Sequence, residues 1–339
     1  MPAALMGCMA ATTVSSTFGF PFEFPAAVTP FFAAVLGLSV LDGPARLERG
    51  RQPVLTVGLL LLILGVGVVW QHVKFDHYAL NQRVASARED WPDVVESGER
   101  ALAFGSLDEK ILLLNGRAFA EMGDTDLAMM AYKDGLRQNP NHFGLWVGLG
   151  ESLRQKGQTA EAFESFSKAL RLNPRSGEAL NNIGVLHAAS GQLDSAAVYL
   201  ESAAIYWPKH FDVYANLGIL YRKLGRFDDA YEASSRAVAI EPGRTEGHHG
   251  LGLVQLATGH PDDAALSFRR CLDIDPKLSL AYFHLARSLE QAGQAEQAAD
   301  AYEAYLGRPE MGPPSLREIA EKKLVKLRLR ALETESADG

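Results

Sequence analysis

The chain has 339 residues, with 33 Lys and Arg against 41 Asp and Glu, a net charge of −8 and 2 cysteines. That length accommodates two structural units, and so few cysteines exclude a small domain framed by disulfides. A mean hydropathy of −0.05 hides a sharp asymmetry: the first 72 residues are mostly apolar, whereas the chain beyond Lys74 carries mixed charge.

In chain order, Met1–Val14 reads as the stump of a membrane segment. Residues 18–41, FGFPFEFPAAVTPFFAAVLGLSVL, form a second such segment, interrupted by Pro21, Pro25 and Pro30. No Lys or Arg precedes Arg46, so the basic start of a secretory signal is missing. Residues 53–71 form the clearest span, because Pro53 to Trp70 is uncharged over 18 residues, about the minimum for a hydrocarbon core. Trp70 ends it, where an amphipathic ring suits the headgroup region. The loop between the two segments, DGPARLERGRQ, carries Arg46, Arg49 and Arg51, which favours the cytoplasmic side and sends residues from about 73 onward to the outer face. Lys74, Arg83 and Arg88 pull the other way, mixed with Asp76, Glu89 and Asp90. The expected location is therefore the inner membrane, with residues 1–72 as the membrane part and the rest extracytoplasmic or periplasmic. Cys8 and Cys271 lie far apart and read as small buried hydrophobes.

Beyond residue 108 the sequence keeps a 34-residue period. Pro140, Pro174, Pro208, Pro242 and Pro276 are 34 residues apart, and so are Gly123, Gly157, Gly191, Gly225, Gly259 and Gly293. Small residues recur in the same frame at Gly116, Gly150, Gly184, Gly218, Gly252 and Ala286, and at Ala128, Ala162, Ala196, Ala230, Ala264 and Ala298. Proline cannot continue a helix and ends each unit, glycine permits the turn between two helices, and the small residues let the helices approach. Trp146 and Leu149, Leu180 and Ile183, Tyr214 and Leu217, and Tyr282 and Leu285 fill one face at helical spacing.

These residues resemble the tetratricopeptide repeat family, whose unit is a 34-residue helix-turn-helix with a W..LG..Y, A...F, P pattern. WVGLGESLRQKGQTAEAFESFSKALRLNP and YANLGILYRKLGRFDDAYEASSRAVAIEP follow that pattern closely. With the apolar segments read as N-terminal transmembrane helices, the resemblance implies an all-α chain that continues as a right-handed helix-turn-helix solenoid with a C-terminal capping helix. Six units occupy 109–312, starting at Glu109, Phe143, Gly177, Phe211, Thr245 and Ser279. An atypical first unit at 75–108 keeps Trp91, Val94 and Ala101 in frame but lacks the turn glycine and the final proline. Residues 313–339 form the cap and tail, with Leu316, Ile319, Ala320, Leu324, Leu327 and Ala331 on one stripe and bases opposite.

The chain contains no G-x-x-x-x-G-K-[ST], H-E-x-x-H or G-x-S-x-G motif and no spaced Cys pairs, so no enzyme, cofactor or catalytic residue is expected in it. Of the histidines in the last two units, His248 takes the slot of a core aromatic and His260 reads as polar surface. His249 and His284 fall near equivalent positions of adjacent first helices, but repeats stack roughly 8 to 10 Å apart, wide for one metal, and no metal is expected. The concave surface lined by the first helices is the better candidate. Asn182 and Asn216 share one frame position with Asn181 beside it, and some arrays of the family hold an extended peptide on such an asparagine ladder, because a carboxamide both donates and accepts. Here the ladder is short, since neighbouring units carry Gly148, Gly250 and His284. Two readings stand: polar lining of an exposed groove, or a peptide site with Arg154, Arg222 and Lys223 as charged contacts.

The opening segment, over about residues 10–41, resembles the C-terminal end of the O-antigen ligase and polymerase family, polytopic membrane glycosyltransferases of bacteria, some with tetratricopeptide tails. That resemblance implies a chain that begins apolar because it is the end of a larger membrane protein, and no catalytic position of the family is carried over. Two functions follow. One is a membrane-anchored, noncatalytic scaffold that binds a protein or peptide at the bacterial envelope, with no nucleic acid partner. The other is a portion or subunit of such a glycosyltransferase, associated with envelope glycan assembly proteins.

Overall fold

The structure, a computed structural model, describes residues 52–105, 108–308 and 313–338, without the side chains of 52–57, 59, 60, 62, 63 and 330–338. Among the described residues there are 15 α-helices and no strand. They divide into two compact units, Met1–Ala118 and Phe119–Gly339.

In the first unit, α1 (Gln52–Ala87) is a 36-residue helix, and its C-terminal part packs against α2 (Trp91–Phe104). The tie is apolar at Ala85 and Val94, both buried. It is also polar: Gln82, fully buried, donates its Nε2 to Asn115 Oδ1 at 2.8 Å and to the Ile111 carbonyl at 3.2 Å on α3 (Glu109–Glu121). Gly98 must stay small, because a Cβ there would lie 2.2 Å from Asn115 Oδ1.

The expected spans at 18–41 and before residue 15 lie outside the described residues. So does part of the expected span at 53–71, where only Gly58, Leu61 and the stretch from Leu64 onward are described with their side chains. Among the described residues, no helix is long and apolar enough to cross a membrane. What is described of α1 there is helical, with Leu61, Leu64, Val66, Val68 and Trp70 all exposed.

The second unit continues with α4 (Thr125–Gln138) and then pairs of antiparallel helices: α5 (Phe143–Gln155) with α6 (Thr159–Leu172), α7 (Gly177–Ala189) with α8 (Leu193–Tyr206), α9 (Phe211–Lys223) with α10 (Phe227–Ile240), α11 (Thr245–Ala257) with α12 (Pro261–Ile274), and α13 (Ser279–Gln291) with α14 (Ala295–Leu306). Each turn inside a pair has the same cause. Gly157, at φ +75°, donates to the Arg154 carbonyl, while the Gln158 amide reaches back to the Leu153 carbonyl at 2.9 Å. This double bond satisfies two orphan carbonyls of the helix end and needs a left-handed residue, which glycine supplies without a Cβ clash. Gly191, Gly225, Gly259 and Gly293 repeat it.

Packing inside a pair explains the second ladder. Gly150, Gly184 and Gly252 face Phe166, Leu200 and Phe268, and a Cβ on Gly150 would lie 2.6 Å from the Phe166 ring. The alanines Ala162, Ala196, Ala230, Ala264 and Ala298 are fully buried. Small residues on one helix thus make room for large ones on the other, and interdigitation of this kind holds interior packing density.

The last helix, α15 (Pro314–Asp338), buries Ala320 and Leu327 in the cluster that contains Tyr302 and Tyr305. Leu316 and Leu324 pack at its edge, whereas Ile319 points outward, 43% exposed, and Ala331 lies outside the described side chains. Two of its bases face the solenoid: Lys323 pairs with Glu290 at 2.6 Å, and Arg328 with Asp300 and Glu303 at 3.0 and 3.1 Å.

Candidate functional site

The first helices α5, α7 and α9 present their polar residues to a common cavity of about 480 Å³. It is lined by Glu151 and Arg154 from α5, Glu178, Asn181, Asn182 and Val185 from α7, and Asp212 and Asn216 from α9, with Trp207 and His210 from the connection between units. Four of the six residues expected at a ligand site therefore converge: Arg154, Asn181, Asn182 and Asn216. Arg222 and Lys223 do not line this cavity. Arg222 instead acts on His249 and His284, and Lys223 is exposed at the end of α9.

The amides do more than face the groove. Asn182 donates its Nδ2 to Glu151 Oε1 at 3.1 Å, and Asn216 donates its Nδ2 to Asn181 Oδ1 at 3.0 Å, so each bond links one first helix to the next. Asn181 and Asn182 are 8% and 7% exposed and form the floor, while Arg154 is exposed at the rim. A carboxamide has two N–H donors and two acceptor lone pairs. The bonds between helices occupy one donor each on Asn182 and Asn216 and one acceptor position on Asn181, which leaves the carbonyl of Asn182, the carbonyl of Asn216 and the amino group of Asn181 able to meet a peptide backbone.

Two acids of the cavity, Glu178 and Asp212, escaped the sequence reading, although a signal was present: with Glu246, which lies outside the cavity, they repeat at the 34-residue spacing, at the second position of α7, α9 and α11. Arg244 bridges two of them, with 3.1 Å to Asp212 and 3.4 Å to Glu246, and the Glu246 carboxyl is held below its ordinary range first by its own backbone N–H and then by Arg244 and Thr245. Trp207 stacks on His210 with ring centroids 3.4 Å apart and walls the cavity on one side.

The histidines differ from expectation in one respect. His249 and His284 have ring centroids 5.1 Å apart, closer than the roughly 8 to 10 Å at which helices pack, and both rings lie against Phe268. Burial holds both below the ordinary imidazole range, His284 at about 3, with the Arg222 charge adding to both shifts. His248 does take the aromatic slot: its Nε2 lies 3.0 Å from the Pro242 carbonyl, as Trp146 Nε1 lies 2.8 Å from the Pro140 carbonyl. Among the described residues no group of three or more His, Cys, Asp or Glu side chains is placed to hold a metal. Cys271 is buried and free, and burial pushes its thiol up to about 12.

A tetratricopeptide repeat profile matches residues 113–177, 149–205 and 249–315, and a second profile of the same repeat matches 187–253, so that together they run from 113 to 315. The chain belongs to the tetratricopeptide repeat family. No curated protein matches it in sequence. Among solved structures it is similar to PilW, described as a type IV pilus biogenesis factor, at 21% identity over 62% of this chain and 97% of that one, with a TM-score of 0.56. It is also similar to pilF of Pseudomonas aeruginosa, at 16% identity over 63% of this chain and 97% of that one, with a TM-score of 0.56. A third likeness is to the APC/C hetero-tetramer Cut9–Hcn1, at 14% identity over 74% of this chain and 48% of that one, with a TM-score of 0.63. At these identities the likeness is one of fold. The resemblance of residues 10–41 to the O-antigen ligase and polymerase family rests on residues outside the described ones, and the matched repeat profiles begin at residue 113.

Proposed function

We propose that this chain is a noncatalytic scaffold that captures an extended peptide segment of a partner protein in the groove of α5, α7 and α9, and that it does so from a membrane anchor at the bacterial envelope. The observation that carries the binding reading is the cavity itself. Three amides with unused hydrogen-bonding capacity line a space of about 480 Å³, with one arginine at its rim. A backbone laid across them exchanges its bonds to water for bonds to Asn181, Asn182 and Asn216, while Arg154 and the acids grip its side chains. The anchor reading is supported by the uncharged run from Pro53 to Trp70 within one continuous helix. The Arg46, Arg49 and Arg51 loop favours an extracytoplasmic position for the repeats, within reach of partners that assemble envelope glycans.

The test is capture of peptides from a synthetic array of extended nonapeptides by the repeat region, before and after Asn181→Ala, Asn182→Ala and Asn216→Ala together. Capture is expected to fall at least tenfold, the consequence of losing about 1.4 kcal/mol of binding. Because these amides also tie helices together, Arg154→Gln serves as the second variant: it touches only the exposed rim, and it is expected to weaken capture with the circular dichroism unchanged. Capture that survives both sets of changes places the binding surface elsewhere.

A further inference from the structure

His249 and His284 occupy the frame positions of Asn181 and Asn216, two units further along: each pair is separated by 68 residues, twice the repeat. The positions that carry amides at the cavity thus carry imidazoles on α11 and α13, in the same layer of first helices. His249 Nε2 and His284 Nδ1 are both buried without a hydrogen-bond partner. Phe268 stacks on His284, with centroids 5.4 Å apart, and meets His249 edge-on at 5.6 Å, so α12 supplies an aromatic floor.

The charged groups that act on the pair are Arg222 from α9 and Arg287 from α13. Arg226, Arg244 and Arg328 are each tied to carboxylates. Among the described residues, no hydrogen bond or ion pair to a carboxylate engages Arg222 or Arg287. Two guanidiniums without a carboxylate partner and two imidazoles with unbonded nitrogens are groups that a carboxylate can engage. A buried polar nitrogen without a partner is costly, and an arriving carboxylate would satisfy it through a charge-assisted bond.

We propose that Arg222, His249, His284 and Arg287 form an anion subsite of the groove, which takes the side-chain carboxylate of an Asp or Glu in a bound peptide as the histidine pair takes up one proton from solvent. This deepens the peptide-capture reading and rests on it for the identity of the ligand. Neutral imidazoles are favoured in the free groove, since burial opposes the charging of both, with Arg222 adding to it at His249 and His249, Arg287 and Arg222 adding to it at His284. The carboxylate reverses that balance, so the histidine pKa is higher in the complex than in the free protein. Binding therefore tightens as pH falls from the bound value toward the free one, and the gain is lost as pH rises through the bound one.

The experiment uses the full chain with ¹⁵N-labelled histidine, N-acetyl-hexaglutamate as probe and N-acetyl-hexalysine as its control. The glutamate peptide is expected to move the His249 and His284 ring resonances, to bind roughly threefold or more tightly at pH 5.5 than at 7.5, and to lose affinity about tenfold in Arg222→Gln with Arg287→Gln. Absence of ring shifts, an affinity untouched by the two Gln substitutions, or an affinity independent of pH overturns the proposal. Binding of a phosphoserine peptide without binding of hexaglutamate overturns the assignment to a carboxylate. The two readings fail separately. If the Asn-to-Ala triple variant still captures its array peptides while hexaglutamate shifts the rings, the amide cavity is wrong and the subsite stands. If amide-dependent capture holds and the rings do not respond, the subsite is wrong.

Discussion

His248 shows how one side chain can keep a structural bond while changing its chemistry. A backbone carbonyl only accepts, so the His248 Nε2 that faces the Pro242 oxygen at 3.0 Å must carry the proton. Trp146 offers the same donor to the Pro140 carbonyl at 2.8 Å, with Lys168 lying 4.5 Å from its ring centroid. In both units the ring ties the start of a first helix to the proline that closes the preceding unit. His248→Leu keeps apolar bulk and removes the donor, and it is expected to destabilise the second unit by about 0.5–1.5 kcal/mol in urea unfolding. His248→Trp restores the donor and should leave stability unchanged or raised. An equal loss in both variants would mean that the ring contributes by shape alone. Asn181 and Asn216 make the opposite point: their mutual bond spans 35 residues of sequence, so nothing local to either one reveals that it is engaged.

Among the elements, the turn inside each helix pair carries the clearest energetics. Gly225 sits at φ +74°, with its own amide bonded to the Arg222 carbonyl and the Arg226 amide bonded to the Tyr221 carbonyl at 2.9 Å. The turn between α1 and α2 has the same pair of bonds, Glu89 to Ser86 and Asp90 to Ala85, but the left-handed residue there is Glu89, at φ 58°. A non-glycine residue pays about 1–2 kcal/mol in that region. Gly225→Ala is therefore expected to cost about 1 kcal/mol or more, and Glu89→Gly to gain about 0.5–1 kcal/mol once glycine's greater freedom in the unfolded chain is subtracted. Thermal melts of the two variants, read in opposite directions, test one cause, and a Glu89→Gly that destabilises would sink it. This dependence is also why the helix-turn-helix fold was legible in the sequence: backbone geometry admits few residues at the turn, and the small residue facing Phe166 or Phe268 is equally constrained. The site was less legible. Arg154 and the three asparagines meet because α5, α7 and α9 stack. The approach of His249 to His284 is one of rings, which helix spacing does not report.

For the molecule as a whole, a mean hydropathy of −0.05 averages two chemistries that do not mix. The repeats bury their apolar stripes within pairs, although single apolar side chains such as Val198 and Ile205 stay exposed, and in α1 Leu61, Leu64, Val66, Val68 and Trp70 follow one another closely at 51% to 63% exposure. At 100° per residue these five point in several directions around the helix, an arrangement in keeping with the anchor proposed above. The 18 uncharged residues from Pro53 to Trp70 rise roughly 27 Å, close to the thickness of a hydrocarbon core. Lys74 lies 5.0 Å from the Trp70 ring centroid, a pairing suited to the headgroup boundary. The full chain expressed in bacteria is therefore expected to pellet with membranes and to stay there through alkaline carbonate. Leu61→Arg with Leu64→Arg, each opposing insertion by about 2.5–3.5 kcal/mol near the helix centre, should move it to the supernatant while the repeats keep their helical circular dichroism. A wild-type chain that carbonate extracts would refute the anchor and return α1 to the search for a protein partner that covers it.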